Sequence, residues 1–109
     1  MNWLEGVRLE LQRAAEAGRN ANLGKARTSA RRAVGIAVTE LQRKLPEKQY
    51  GRDFIGQLRG IAADESIPEK VRFAADRLQT RLSTDFESPS RQPIDDAKIV
   101  IDFVIECLQ

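Results

Sequence analysis

The sequence predicts an all-α, single-domain bundle of about five helices, and three observations carry that prediction. Apolar residues recur at three- and four-residue steps through most of the chain, which is the spacing of one helix face. Aromatic content is only 6% while Ala, Leu, Arg and Glu are abundant, a balance that favours helix over sheet. At 109 residues the chain is long enough for one core, and no repeat or low-complexity stretch divides it, so residues 1–109 are expected to form one domain.

The first helix is expected from Trp3 to about Ala17, with Asn2 as its cap, Glu5 in capping-box position and Gly18 as its stop. Leu4, Val7, Leu11 and Ala14 make its buried stripe. Residues 18–24 read as a short connection in which Asn20 or Asn22 caps the second helix. The chain is organised around that second helix. Ala26, Ala30, Ala33, Val34, Ala37 and Leu41 share one face and are mostly small, so neighbouring helices can approach closely and the element belongs in the middle of the bundle. It ends near Leu45, because Pro46 cannot continue it.

Tyr50, Phe54, Leu58, Ile61 and Ala62 keep helical spacing through a third element. Gly51, Gly56 and Gly60 weaken it, each interior Gly costing about 1 kcal/mol against Ala, so it requires tertiary support and its glycines mark close contacts. Ser66 and Glu69 form a capping box around Pro68 for the fourth helix, whose stripe is Val71, Ala74, Ala75, Leu78 and Leu82, with Phe73 off it. Residues 83–93 have two prolines and no periodicity, and read as the longest loop. Pro93, Asp95 and Asp96 open the last helix, the carboxylates completing its positive end. There Asp95, Lys98, Asp102, Glu106 and Gln109 form one narrow polar line and nearly everything else is apolar. A helix apolar over so much of its circumference is buried on two sides. A homodimer is therefore expected, with Ile99, Ile101, Phe103 and Ile105 as candidate interface residues.

Several chemistries are disfavoured by composition. The chain has no histidine, the commonest general base and zinc ligand, and its single cysteine cannot form an intramolecular disulfide or a structural zinc site. Cys107 reads as an inert core residue. Asp64–Glu65, Asp95–Asp96 and Asp102/Glu106 read as helix ends and solvated faces rather than as magnesium or acid–base sites. Gly24–Lys25 is not a phosphate loop, since Arg19 stands where its upstream glycine belongs and Ala26 where Ser or Thr should follow. We expect no enzyme activity, no metal and no cofactor. Met1 leads straight into Asn2-Trp3-Leu4-Glu5 without a basic start or an apolar run, and Asp102 cuts the longest apolar stretch of the last helix. A cytoplasmic protein without a membrane span is the expectation.

Charge is distributed unevenly. Residues 1–84 carry 16 basic and 10 acidic side chains, residues 85–109 only 2 basic and 6 acidic, which suits intramolecular pairing, head-to-tail association or an anionic partner. No acidic residue interrupts the run between Glu16 and Glu40, which holds Arg19, Lys25, Arg27, Arg31 and Arg32. Two readings of it stay open. It is a solvated face with Arg27 or Arg31 paired to an acid of another helix, or Lys25, Arg27, Arg31 and Arg32 contact phosphate or RNA beside the helix N-terminus. The nearby chain offers no aromatic residue on which a base could stack.

The order of parts resembles the HEPN (higher eukaryotes and prokaryotes nucleotide-binding) family of small helical bundles. A first helix and a Gly/Asn turn lead into the alanine-rich stretch Ala26-Arg27-Thr28-Ser29-Ala30-Arg31-Arg32-Ala33-Val34-Gly35-Ile36-Ala37, and the chain closes on Asp96-Ala97-Lys98-Ile99-Val100-Ile101-Asp102-Phe103-Val104. The resemblance implies an up-and-down bundle, a dimer, and a protein, RNA or nucleotide partner. Active ribonucleases of the family use an Arg-x(4–6)-His motif near the last helices. Arg91 lies in that region but no histidine accompanies it, so the resemblance implies a non-catalytic member. The functional expectation is a non-enzymatic homodimer that binds a protein partner; the alternative is an RNA- or nucleotide-binding module using the second helix.

Overall fold

A computed structural model describes residues 2–80 and 92–109, which form five helices and, among the described residues, no strand. They are α1 (Trp3–Arg19), α2 (Leu23–Lys44), α3 (Phe54–Ala63), α4 (Glu69–Gln79) and α5 (Pro93–Leu108). Leu82 and most of the expected 83–93 loop lie outside the described residues; Gln92 is the cap of α5 and Pro93 its first residue.

The small-residue face of α2 is the floor of the core. All six residues expected there are buried, and Ser29, Gly35 and Val38 are buried too. α1, α5 and α3 pack against α2. α4 packs on α5 and α3. What remains for solvent is a narrow outward strip of α2 that includes Lys25, Thr28, Arg32, Thr39 and Arg43. Leu41, Leu58, Ile61 and Leu78 are fully buried where these helices meet. Truncating such a side chain to Ala costs about 2–5 kcal/mol.

The helix ends follow local chemistry, with some differences from expectation. Asn2 caps α1 by accepting from the Leu4 N–H at 2.9 Å. Gly18 does not stop α1, which continues to Arg19 and turns at Ala21, the one described non-glycine residue with positive φ (57°). There the Asn22 N–H donates to the Ala17 carbonyl (2.8 Å) and the Ala21 N–H to the Gly18 carbonyl (3.0 Å). This is a Schellman closure with Ala in the left-handed position that Gly usually takes. Asn22 then caps α2 by accepting from the Lys25 N–H at 3.1 Å.

Two expected starts are corrected. Tyr50 is not part of α3, which begins at Phe54 under the Asp53 cap. The segment before it is held by Gln42, whose Oε1 accepts from the N–H groups of Tyr50 and Gly51 and whose Nε2 donates to the Gly51 carbonyl. A Cβ at Gly60 would stand 2.5 Å from the Tyr50 carbonyl oxygen, so only glycine lets this segment lie against α3. Ser66 does not cap α4; its hydroxyl donates to Asp64 at 2.6 Å, and Pro68 is the cap, its carbonyl accepting from Val71 and Arg72.

Along α1, Val7, Glu10, Ala14 and Ala17 are buried, whereas Leu4, expected in that stripe, is 43% exposed. The α1 stripe is turned toward α2, and α1 barely meets α5.

Candidate functional site

The four basic residues singled out on α2 differ in exposure and contacts. Arg31 is half-buried and reaches the end of α4, where its Nε donates to the Leu78 carbonyl and its Nη2 to that of Thr80. The last carbonyls of a helix lack intrahelical partners and carry partial negative charge, so a guanidinium there satisfies both deficits. Arg31 is thus fixed to carbonyls at the end of α4. Arg27 is half-buried, and Lys25 and Arg32 are exposed. Lys25 lies beside a small polar hollow between α1 and α2 with Arg13, Glu16, Asn20 and Asn22.

The outward strip also has an aromatic neighbour, although the nearby chain has none. Phe54, at the start of α3, lies on Gly35, and a Cβ at Gly35 would stand 1.9 Å from its Cδ1. The ring occupies the space a side chain would need and leaves Phe54 39% exposed, one helical turn along α2 from Arg32. Sequence separation hides this pair. Its only signal is a glycine inside a long helix, where closer approach by a neighbour offsets the cost of about 1 kcal/mol.

The four candidate interface residues of α5 fall on two flanks. Ile101 is already buried, with 4% of its surface exposed, while Ile99, Phe103 and Ile105 are half-buried. Ile99 and Phe103 line a shallow groove toward α4 with Pro68 and Val71. Ile101 and Ile105 line a more apolar groove toward α1, whose other walls are Leu4, Leu11 and Ile94, with Arg8 and Lys98 at the rim. A second apolar hollow, containing Leu23 and Ala26, shares Ile94 with it. The expected polar line of α5 is exposed throughout: Asp95, Lys98, Asp102, Glu106 and Gln109.

Asp96 stands in the first turn of α5 as expected and has a tertiary role as well. It is 6% exposed and receives Arg77 of α4 through three hydrogen bonds, from Nε at 3.1 and 3.2 Å and from Nη2 at 2.7 Å. Charge-assisted forked bonds of this kind are directional as well as strong. The pair joins α4 to α5, and its hydrogen bonds hold Arg77 above the usual guanidinium value. A helix-start carboxylate has a sufficient local role, which conceals the tertiary one.

A further polar group closes the far end of the bundle. The Tyr50 hydroxyl donates to Asp64 Oδ2 at 2.9 Å. Burial, the Asp64 hydrogen bond and the charges of Asp64 and Cys107 push the phenol well above its ordinary value. Bonds from Ser66 and then Tyr50 hold Asp64 below the usual carboxylate range. Cys107 is half-buried, not fully buried as expected, and burial raises its thiol. A thiol shifted upward is mostly protonated at neutral pH and a poor nucleophile. Among the described residues no three His, Cys, Asp or Glu side chains are grouped to hold a metal, and no helix is long and apolar enough to cross a membrane.

Comparison with protein-family models, curated proteins and solved structures returns no match. The HEPN resemblance therefore rests on the order and character of the helices alone.

Proposed function

We propose that the chain is a non-catalytic, HEPN-like helical interaction protein that works as a homodimer, with the α1–α5 groove as the seam between copies. The observation that carries this reading is that groove: Leu4, Leu11, Ile94, Ile101 and Ile105 form an apolar channel on a protomer whose two bordering helices scarcely touch. Contiguous exposed apolar surface of this kind marks interaction sites in soluble proteins.

Charge on α5 favours a second copy as the occupant. Lys98, which lines the groove, and Asp102, one turn on and lining the groove toward α4, are both exposed and opposite in sign. An antiparallel α5 from a second copy, related by a two-fold axis near Val100, brings Lys98 of each protomer toward Asp102 of the other. Such a pairing is made twice, as a closed two-fold interface requires. The up-and-down HEPN order and the wide apolar circumference of α5 support the same reading.

Sedimentation at micromolar protein concentration tests it. The expected species is twice the 12.3 kDa protomer. Ile105→Glu is expected to return the protein to the protomer with little change in melting temperature, because Ile105 is half-exposed. Lys98→Glu should weaken the dimer, and adding Asp102→Lys should restore it. A 12.3 kDa species alone at about a hundred micromolar would assign the groove to another partner and overturn self-association.

A further inference from the structure

We infer that the outward strip of α2 is a contact surface for single-stranded nucleic acid, with Lys25 and Arg32 meeting phosphates and Phe54 offering its ring to an unstacked base. The inference rests on features separate from the α1–α5 groove.

The strip bears positive charge without a competing acid of its own. α2 has no acidic residue before Glu40, and Glu40 is engaged by Arg43 at 2.6 Å and Lys44 at 3.6 Å. Lys25 and Arg32 are both exposed, two turns apart on the same face, about 10 Å along the axis. Glu16 is the acid nearest Lys25, across the polar hollow that also holds Arg13, so Arg32 carries more of the argument.

The second feature is Phe54. Its ring is two-fifths exposed, and its neighbour Gly35 admits it onto the strip one turn from Arg32, which sets it apart from the more exposed Phe73 of α4. Cationic side chains for the backbone together with an aromatic face for a base are the combination by which proteins hold single strands with little sequence preference. An acidic protein surface would use the charges but would gain nothing specific from a ring beside them. Arg31 is not part of this surface, since its guanidinium is turned to the end of α4. Of the four residues suggested by sequence, Lys25 and Arg32 belong to this surface, and Phe54 joins them.

The test is fluorescence anisotropy of labelled twelve-nucleotide oligouridine, oligothymidine and a duplex of equal length, titrated with full-length protein from 50 to 300 mM KCl. Single strands should bind in the micromolar range at low salt, the range of unspecific phosphate-driven binding. Arg32→Gln should weaken binding and lower the salt slope by about 0.7, one single-strand phosphate contact. Phe54→Leu, which keeps apolar cover on Gly35, should weaken single-strand binding roughly fivefold without changing that slope, and Phe54→Tyr should restore it. Arg59→Gln, exposed on α3 and away from both surfaces, should change neither. Preference for one single strand over the other supports the surface and assigns the sugar. Absence of saturable binding, a duplex that binds as tightly as the single strands, or equal losses in Arg59→Gln and Arg32→Gln would overturn the inference, whichever oligomeric state is found.

Discussion

The two flanks of α5 are built from the same kinds of residue, and each keeps a groove, but α5 packs far more closely on α4 than on α1. Toward α4, the buried stripe Val71, Ala74, Ala75 and Leu78 faces α5, and Arg77 adds a forked ion pair to Asp96. Toward α1, the corresponding stripe of the neighbour is already used elsewhere: Val7, Glu10, Ala14 and Ala17 are turned to α2. Only the edge of α1, with Leu4 and Leu11, is left for α5, and a groove remains. How closely a seam packs therefore depends less on how apolar a helix is than on whether its neighbour's stripe is free to meet it. A helix has one wide apolar face, and α1 has given its own to α2.

Both flanks stand on α2, so the largest effect should come from its inner face. Ala37 has no exposed surface. Ala37→Asp places an unpaired carboxylate among close-packed small residues and should cost more than about 3 kcal/mol, leaving little folded protein by circular dichroism. Melting within a degree or two of wild type would mean that α2 is not the floor of both seams.

The closely packed flank comes next. Asp96→Ala removes the acceptor of three hydrogen bonds and leaves Arg77 beside a buried surface. Loss of one partner from a buried pair costs about 3–5 kcal/mol; the Arg77 side chain is 40% exposed and keeps some hydration, so about 2 kcal/mol is expected in urea unfolding. On the α1 flank, Ile105→Glu should cost the protomer no more than about 1 kcal/mol, since its side chain keeps access to water. Equal losses at the two positions would erase the distinction between the seams.

What could be read from sequence follows the same division. The inner face of α2, the stripe of α4 and the polar line of α5 were legible because each is a regular pattern within one helix. Leu4 was misplaced because spacing fixes which residues share a face but not which of two neighbours that face meets. The pairing of Asp96 with Arg77 was hidden because a carboxylate at a helix start already has a local reason to be there. Phe54 on Gly35 was invisible, since it joins two helices across a nineteen-residue separation with only a glycine to mark it. Ala21 was missed because left-handed closures are read from glycine, and here an alanine takes that conformation, closed by the backbone bonds to Ala17 and Gly18. For Leu4, Asp96 and Phe54 the missing information is tertiary.

An effect as small as that at Ile105 should appear at the end of the bundle, where Tyr50 holds Asp64 and lies near Cys107 at the C-terminal end of α5. The phenol is raised above its ordinary value, so its neutral form is the one the fold stabilises. That contribution is complete below about pH 10, where the unfolded phenol is also neutral, and is lost as pH rises from there through the folded value. Asp64 works in the other direction: its carboxylate is held low, so its contribution is present above about pH 4 and fades as pH falls through the folded value. Tyr50→Phe should therefore cost about 1 kcal/mol at neutral pH, the worth of one hydrogen bond, while Asp64 keeps its two bonds from Ser66. The variant should lose less stability than wild type between pH 10 and the alkaline end of the titration, and its acid-side loss should also shrink. Tyr50 is the chain's one tyrosine, so tyrosinate absorbance reports this group alone. A phenol that ionises near pH 10 in the folded protein, or an alkaline loss identical in Tyr50→Phe, would show that the hydroxyl does not help close this end of the bundle.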